Sequence, residues 1–201
     1  MTETYVQQYN LNASVVQHLT EAFSILDIHD PKDPHTGRTP QRFARYLQYL
    51  KEGELEEYRL TTFPNANPRI DHMVVVPNIT FWSACAHHTL PFMGTISVGY
   101  IPDEQVIGLS KIPLHARAVA RGFWLQEHLT HCIANDLMSA LDPLGVAIQI
   151  RAQHTCQLLD VKQPPIPEMI TTVLMGVFHP DSGLTGPRDE FFAAVRPGGR
   201  V

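Results

Sequence analysis

Two clusters of soft, titratable side chains stand out in the 201-residue sequence: Cys85-Ala86-His87-His88 and His154-Thr155-Cys156. Thiolate and imidazole are groups that hold zinc, and a catalytic zinc keeps one position open to water beside three protein ligands. Two cysteines and three histidines exceed that need, so spacing alone does not say which three would bind. The surplus histidines could move protons, since imidazole titrates near neutral pH. Together these residue types point to a hydrolytic centre. A closed structural zinc with exposed histidines is the competing reading. Cys132, next to Ile133 in an apolar helical stretch, reads as core.

Strands and helices must bring the two clusters together. Asn12 reads as the cap of a helix whose apolar positions are Val15, Val16, Leu19, Ala22, Phe23 and Leu26. Arg38-Thr39-Pro40 reads as the start of a second helix that ends near Gly53. A loop is expected over Pro64 to Pro68, and strand patterning follows it. Met73 to Val76 is β-rich, and Ile79 to Ala84 is an expected strand that delivers Cys85. A further strand runs from Thr95 to Ile101. Helical patterning returns from about Leu114 and again over Leu125 to Leu141. Val146, Ile148 and Ile150 alternate with Ala147, Gln149 and Arg151, the period of a half-buried strand. Continued in extended form, that strand puts His154 and Cys156 on one face. A last strand over Thr171 to Phe178 and a short helix around Arg188 to Phe192 complete an α+β order. A helical N-terminal segment, 1–68, would precede a catalytic domain, 69–201.

The formal net charge of −5 argues against a general nucleic-acid or membrane-surface binder. No apolar run approaches a bilayer-spanning length, and the polar N-terminus is unlike a signal peptide. Three cysteines cannot all pair with one another, and two stand in ligand-like contexts, so a reducing cytoplasm is expected.

The run Phe81 to Gly94, which contains Cys85-Ala86-His87-His88, resembles the zinc segment of the GTP cyclohydrolase I family. Tyr100-Ile101-Pro102, Val106 to Lys111, Leu125 to Thr130 and His154-Thr155-Cys156 are similar to further motifs of that family, so the resemblance spans about Arg38 to Val195. It implies a tunnelling fold, with antiparallel sheets and helices assembled into a toroidal homo-oligomer, commonly a decamer, and sites between subunits. It also implies hydrolysis of GTP to 7,8-dihydroneopterin triphosphate and formate, the entry to folate and pterin biosynthesis. By matching positions, Cys85, His88 and Cys156 would hold Zn2+. His154 would protonate the imidazole nitrogen of guanine as C8 is attacked, and His87 would assist ribose opening. Glu127 would accept from the guanine N1–H and amine, with Gln126 against the base. Ser110 would lie near the ribose and triphosphate, and Lys111 on the phosphates.

Three normally charged family positions differ. Glutamate is usual where this chain has Ala86, and arginine where it has Leu114 and Asp160. The base-reading and metal-type residues persist while the triphosphate cradle loses two guanidinium groups and gains a carboxylate. Leucine offers no substitute for arginine's bidentate fork. His115, Arg117, Arg121, Lys162 or Arg42 could compensate, although Arg117 reads as ordinary surface charge. Two alternatives follow from the departures: a hydrolase acting on a less phosphorylated guanine nucleotide or related purine, and a non-catalytic nucleotide-binding homologue.

Overall fold

The computed structural model describes residues 6–7, 9–53, 60–66, 72–159 and 166–196. Asp160 and Lys162 lie outside them. The chain divides into two compact units, Met1–Glu52 and Gly53–Val201.

In the first unit, α1 (Ala13–Ile25) begins as the sequence leads one to expect: the Asn12 side chain accepts the Val15 N–H at 3.2 Å. Helix α2 (Thr39–Gly53) carries Pro40 in its first turn, where a missing N–H costs nothing. Leu11, Val16 and Ala44 form this unit's small core, with the Phe23 and Phe43 rings 5.8 Å apart.

The second unit is built on a five-stranded sheet. Its strands are β2 (Val74–Cys85), β3 (Pro91–Ile101), β5 (Phe123–Trp124), β6 (Gly145–His154) and β7 (Glu168–Gly176), in the order β5-β2-β3-β6-β7. All pairs are antiparallel except β2 with β5. A separate two-stranded ladder joins β1 (Thr62–Pro64) to β4 (Gln105–Ile107), so Pro64 ends a strand instead of opening a loop.

Two sequence expectations merge in β2. The two expected segments, from Val74 on, form one strand, in which the register to β3 shifts between Val76 and Ile79 and Asn78 takes φ 57. A bulge of this kind lets a strand bend without ending. Strand β3 begins four residues earlier than the alternation suggested, because Pro91 and Phe92 already pair with Ala84 and Ser83. Strand β7 is shifted towards the N-terminus of the expected Thr171–Phe178 segment and ends at Gly176, whose φ of 62 turns the chain.

Alternation along β6 separates two cores. Val146, Ile148 and Ile150 face α3 (Lys111–Ala120) and α4 (Gln126–Leu141), where Ile112, Ala116, Leu129, Ile133 and Leu137 are fully or nearly buried. Ala147 faces the other way, into Phe178, Phe191 and Val195 beside α5 (Gly186–Ala194). A Cβ at Gly99 would stand 2.6 Å from the Phe191 ring, which explains glycine there. Cys132 is half-buried on α4; burial, and then the Asp136 carboxylate, push its thiol pKa up. No helix among the described residues is long and apolar enough to cross a membrane.

Candidate active site

Three connections bring the two clusters to one place. First, the tight turn between β2 and β3 starts at Cys85: the Thr89 N–H donates to Cys85 O at 2.8 Å, and the Cys85 N–H donates to Leu90 O at 2.8 Å. Thr89 sits at φ 57, a left-handed conformation that β-branched residues seldom adopt. Second, Cys85 pairs with Trp124 on β5, and the Ala86 N–H donates to Trp124 O at 3.1 Å. This short parallel pairing fixes the turn against the start of α4, where Gln126 and Glu127 lie. Third, β6 ends opposite β3 with His154 facing Phe92.

The chain does not stay extended beyond His154, as the sequence reading required. It enters a 3-10 turn over Thr155–Leu159, and the Thr155 hydroxyl donates to Pro91 O at 2.6 Å. Cys156 therefore reaches the site from a turn tied to β3, while His154 reaches it from the strand end.

The ligand atoms of Cys85, His88 and Cys156 all lie within 4.8 Å of one another. The Cys85 Sγ is 3.9 Å from His88 Nδ1 and also 3.9 Å from His87 Nδ1. Tetrahedral zinc with ordinary bond lengths sets sulfur and nitrogen ligands about 3.6 Å apart, so the group is nearly closed around a sphere of that size. Cys85 is buried, Cys156 half-buried and His88 exposed. Burial, followed by the neighbouring Cys85 thiol, pushes the Cys156 thiol pKa up. Two thiols this close repel once ionised unless a cation stands between them, so the donor set fits a soft divalent metal.

Beside the ligand group lies a cavity of about 300 Å3, lined by Cys85, His87, Gln126, Glu127, His154 and Cys156. Trp124, Leu125, Gln157 and Met169 complete its wall. Glu127 is exposed in the first turn of α4, whose N-terminus has no side-chain cap, so its charge also meets the helix dipole favourably. His154 is buried, and burial pushes its pKa down while the Glu127 charge opposes that shift. Its ring stacks on Phe92 with centroids 4.3 Å apart and planes within 3°.

Of the residues singled out in the sequence, Ser110 and Lys111 do not line this cavity. Ser110 precedes α3, is exposed, and makes no capping hydrogen bond through its side chain. Arg117 is committed to Thr80, donating from Nε to the carbonyl at 2.9 Å. His115 is buried, with Nε2 3.1 Å from Asp136 Oδ2. Arg42 donates to His35 O at 2.7 Å in the first unit. Sequence reasoning missed Phe92, whose role depends on which residue stands opposite it on β6.

A largely antiparallel sheet with α3 and α4 packed on one face and α5 on the other, two of its connections converging on a thiol–imidazole cluster, is the α+β architecture of a tunnelling-fold protein. A profile of the family described as GTP cyclohydrolase I matches residues 15–196. Proteins named GTP cyclohydrolase 1 are similar to this chain. The one from Gloeobacter violaceus is 40% identical over 169 residues, covering 83% of this chain and 77% of that protein. The one from Synechococcus sp. (strain JA-3-3Ab) is 37% identical over 172 residues, 83% of this chain and 72% of that protein. A Pseudomonas aeruginosa protein, GTP cyclohydrolase 1 1, is 36% identical over 92% of this chain and 98% of its own length. Among solved structures, an apo archaeosine synthase QueF-Like superposes with a TM-score of 0.43 at 18% identity, covering 54% of this chain and 97% of that one, a likeness too loose to bear on function. The chain belongs to the GTP cyclohydrolase I family, hydrolases that act on the C–N bonds of cyclic amidines.

Proposed function

We propose that this chain is a zinc-dependent cyclohydrolase that opens the imidazole ring of GTP, giving 7,8-dihydroneopterin triphosphate and formate. The observation that carries this reading is the meeting of Cys85, His88 and Cys156 within 4.8 Å beside a cavity that also holds Glu127, His87 and His154. Cys85, His88 and Cys156 would hold the metal. When bound with one position open, zinc supplies a water acidic enough to act as a nucleophile near neutral pH.

The chain's own residues supply recognition and proton transfer. Glu127 accepts from the adjacent N1–H and amine of guanine, a pairing that rejects bases presenting acceptors there. His154 protonates the imidazole nitrogen as its bond to C8 breaks, and His87 assists the later opening of the ribose. Gln126 forms the wall beside the base. Ser110 and Lys111, off this cavity, fit the ribose and phosphate end of a site completed between subunits of a toroidal homo-oligomer, commonly a decamer. The N-terminal segment, 1–68, would serve that assembly, and 69–201 the chemistry. The setting would be the cytoplasm and the product a precursor for pterins and tetrahydrofolate.

Formate release and pterin fluorescence with purified, zinc-loaded protein and GTP test this reading. No product with any guanine nucleotide rejects it, and nucleotide binding without turnover favours a non-catalytic homologue.

A second reading, a substrate with fewer phosphates, has its own support. Leu114 stands 46% exposed on α3 where the family usually places arginine, and neither Arg117 nor His115 replaces it. Comparing turnover of GTP, GDP, GMP and guanosine decides between them; a strong preference for GTP removes the second.

A further inference from the structure

Gln126 is only 1% exposed although it borders the cavity, and its amide is fully engaged. Its Nε2 lies 3.3 Å from Ile150 O, 3.1 Å from Met169 O and 3.1 Å from Thr171 Oγ1. Its Oε1 lies 2.9 Å from His154 Nε2. Two of the groups around Nε2 are backbone carbonyls, which only accept. The reverse amide orientation would set oxygen against oxygen in a buried place, so the orientation is fixed by its surroundings.

The hydroxyls close the logic. Thr130 Oγ1 donates to Gln126 O at 2.7 Å, which uses its only hydrogen. The 2.6 Å contact between Thr130 and Thr171 is then a donation from Thr171, which leaves Thr171 Oγ1 to accept from Gln126. The two Nε2 hydrogens are shared among three acceptors, and Oε1 is left facing His154. Because Oε1 can only accept, His154 Nε2 must donate to it.

We propose that Gln126 is a positioning residue: it holds His154 in one orientation and one tautomer, with hydrogen on Nε2. Phe92 covers one face of the imidazole, Gln126 occupies Nε2, and Nδ1 remains as the ring nitrogen for exchange. In that tautomer Nδ1 carries a lone pair and takes up the proton released as water adds to the substrate, giving the imidazolium. That proton then passes from Nδ1 to the substrate nitrogen, and the ring returns to the neutral form protonated at Nε2. The role in turnover rests on His154 being the proton-transfer residue; the tautomer stands independently of it. Strand pairing supplies the rigidity, since Ile150 and Thr171 are register partners on β6 and β7 and the amide bridges them.

Magic-angle-spinning 15N NMR of zinc-loaded, [15N]histidine-labelled protein reads the tautomer, with His154 assigned by subtracting the spectrum of His154→Asn. The wild type is expected to show hydrogen on Nε2. Gln126→Met fills similar volume without the acceptor and is expected to mix the tautomers. Its kcat falls on the order of 10²-fold while KM stays within about twofold, the pattern of lost proton transfer and not of lost binding. Thr171→Val, which loosens the amide but spares its oxygen, gives a smaller shift in the same direction. Hydrogen on Nδ1 in the wild type overturns the proposal. So does a Gln126→Met variant with raised KM and retained kcat, or one whose His154 spectrum is unchanged. If neither variant folds, the wild-type spectrum decides the tautomer. Wild-type protein that turns over no guanine nucleotide, with hydrogen still on Nε2, removes the hydrolase reading and leaves the positioning intact.

Discussion

Replacing Phe92 by leucine tests how much of the site's order comes from one ring. Phe92 is fully buried, in edge contact with Phe81 at 5.8 Å between centroids and stacked on His154 at 4.3 Å. Leucine keeps most of the apolar volume but forfeits both ring pairs, at about 0.5–1.5 kcal/mol each. The expected destabilisation is therefore about 1–3 kcal/mol, against about 3–5 kcal/mol for Phe92→Ala, which also leaves a cavity. In a domain of this size, about 2 kcal/mol lowers Tm by roughly 4–8 °C. Urea unfolding followed by circular dichroism gives the stability change, and formate release gives the rate. With its face uncovered, His154 loses a fixed attitude, and kcat should fall about tenfold. A Phe92→Leu protein within about 0.5 kcal/mol of wild type, with unchanged kcat, would refute the reasoning.

Glu127→Gln presents a donor and a weaker acceptor to the base; a loss of about 1.5–3 kcal/mol predicts kcat/KM down by roughly 10- to 150-fold, with unfolding changed little. Thr155→Val removes the hydroxyl that ties the Cys156 turn to Pro91 O, and zinc affinity measured by competition with a chelator should drop about 10- to 100-fold. Burial raises the pKa of Tyr100, although the Ile107 N–H donated to its oxygen opposes this. At Tyr100 the unfolded chain then ionises first, so this residue's contribution to stability is complete below about pH 10 and is lost as pH rises through the folded pKa. Tyr100→Phe should flatten that alkaline decline in pH-dependent denaturation; Tyr46, raised by burial in the same direction, keeps part of it.

The helix starts at Asn12 and Thr39 were legible because capping and first-turn chemistry are local. Residue type marked five thiol and imidazole candidates, and only the family motifs singled out Cys85, His88 and Cys156, whose ligand atoms meet in the structure. The route of Cys156 was not legible: period-2 alternation extrapolates a strand, and nothing local reports that the Thr155 hydroxyl will find Pro91 O 64 positions away. The role of Phe92 and the buried partners of Gln126 were hidden for the same reason. Their partners are chosen by register across β3, β6 and β7, and a buried amide looks like a surface amide until the strands are paired. Leu114 was legible as a departure because the family motif places arginine there; its exposure on α3 came only with the structure.

The most direct test is the metal content of freshly isolated protein, read by mass spectrometry alongside GTP turnover. Cys85, His88 and Cys156 acting as one site predict one zinc per chain, lost together with formate release on chelation and restored by Zn2+. They also predict no stoichiometric zinc in Cys85→Ser or Cys156→Ser. Wild-type protein that turns over GTP without stoichiometric metal, or a Cys156→Ser variant that keeps its full complement, would contradict it.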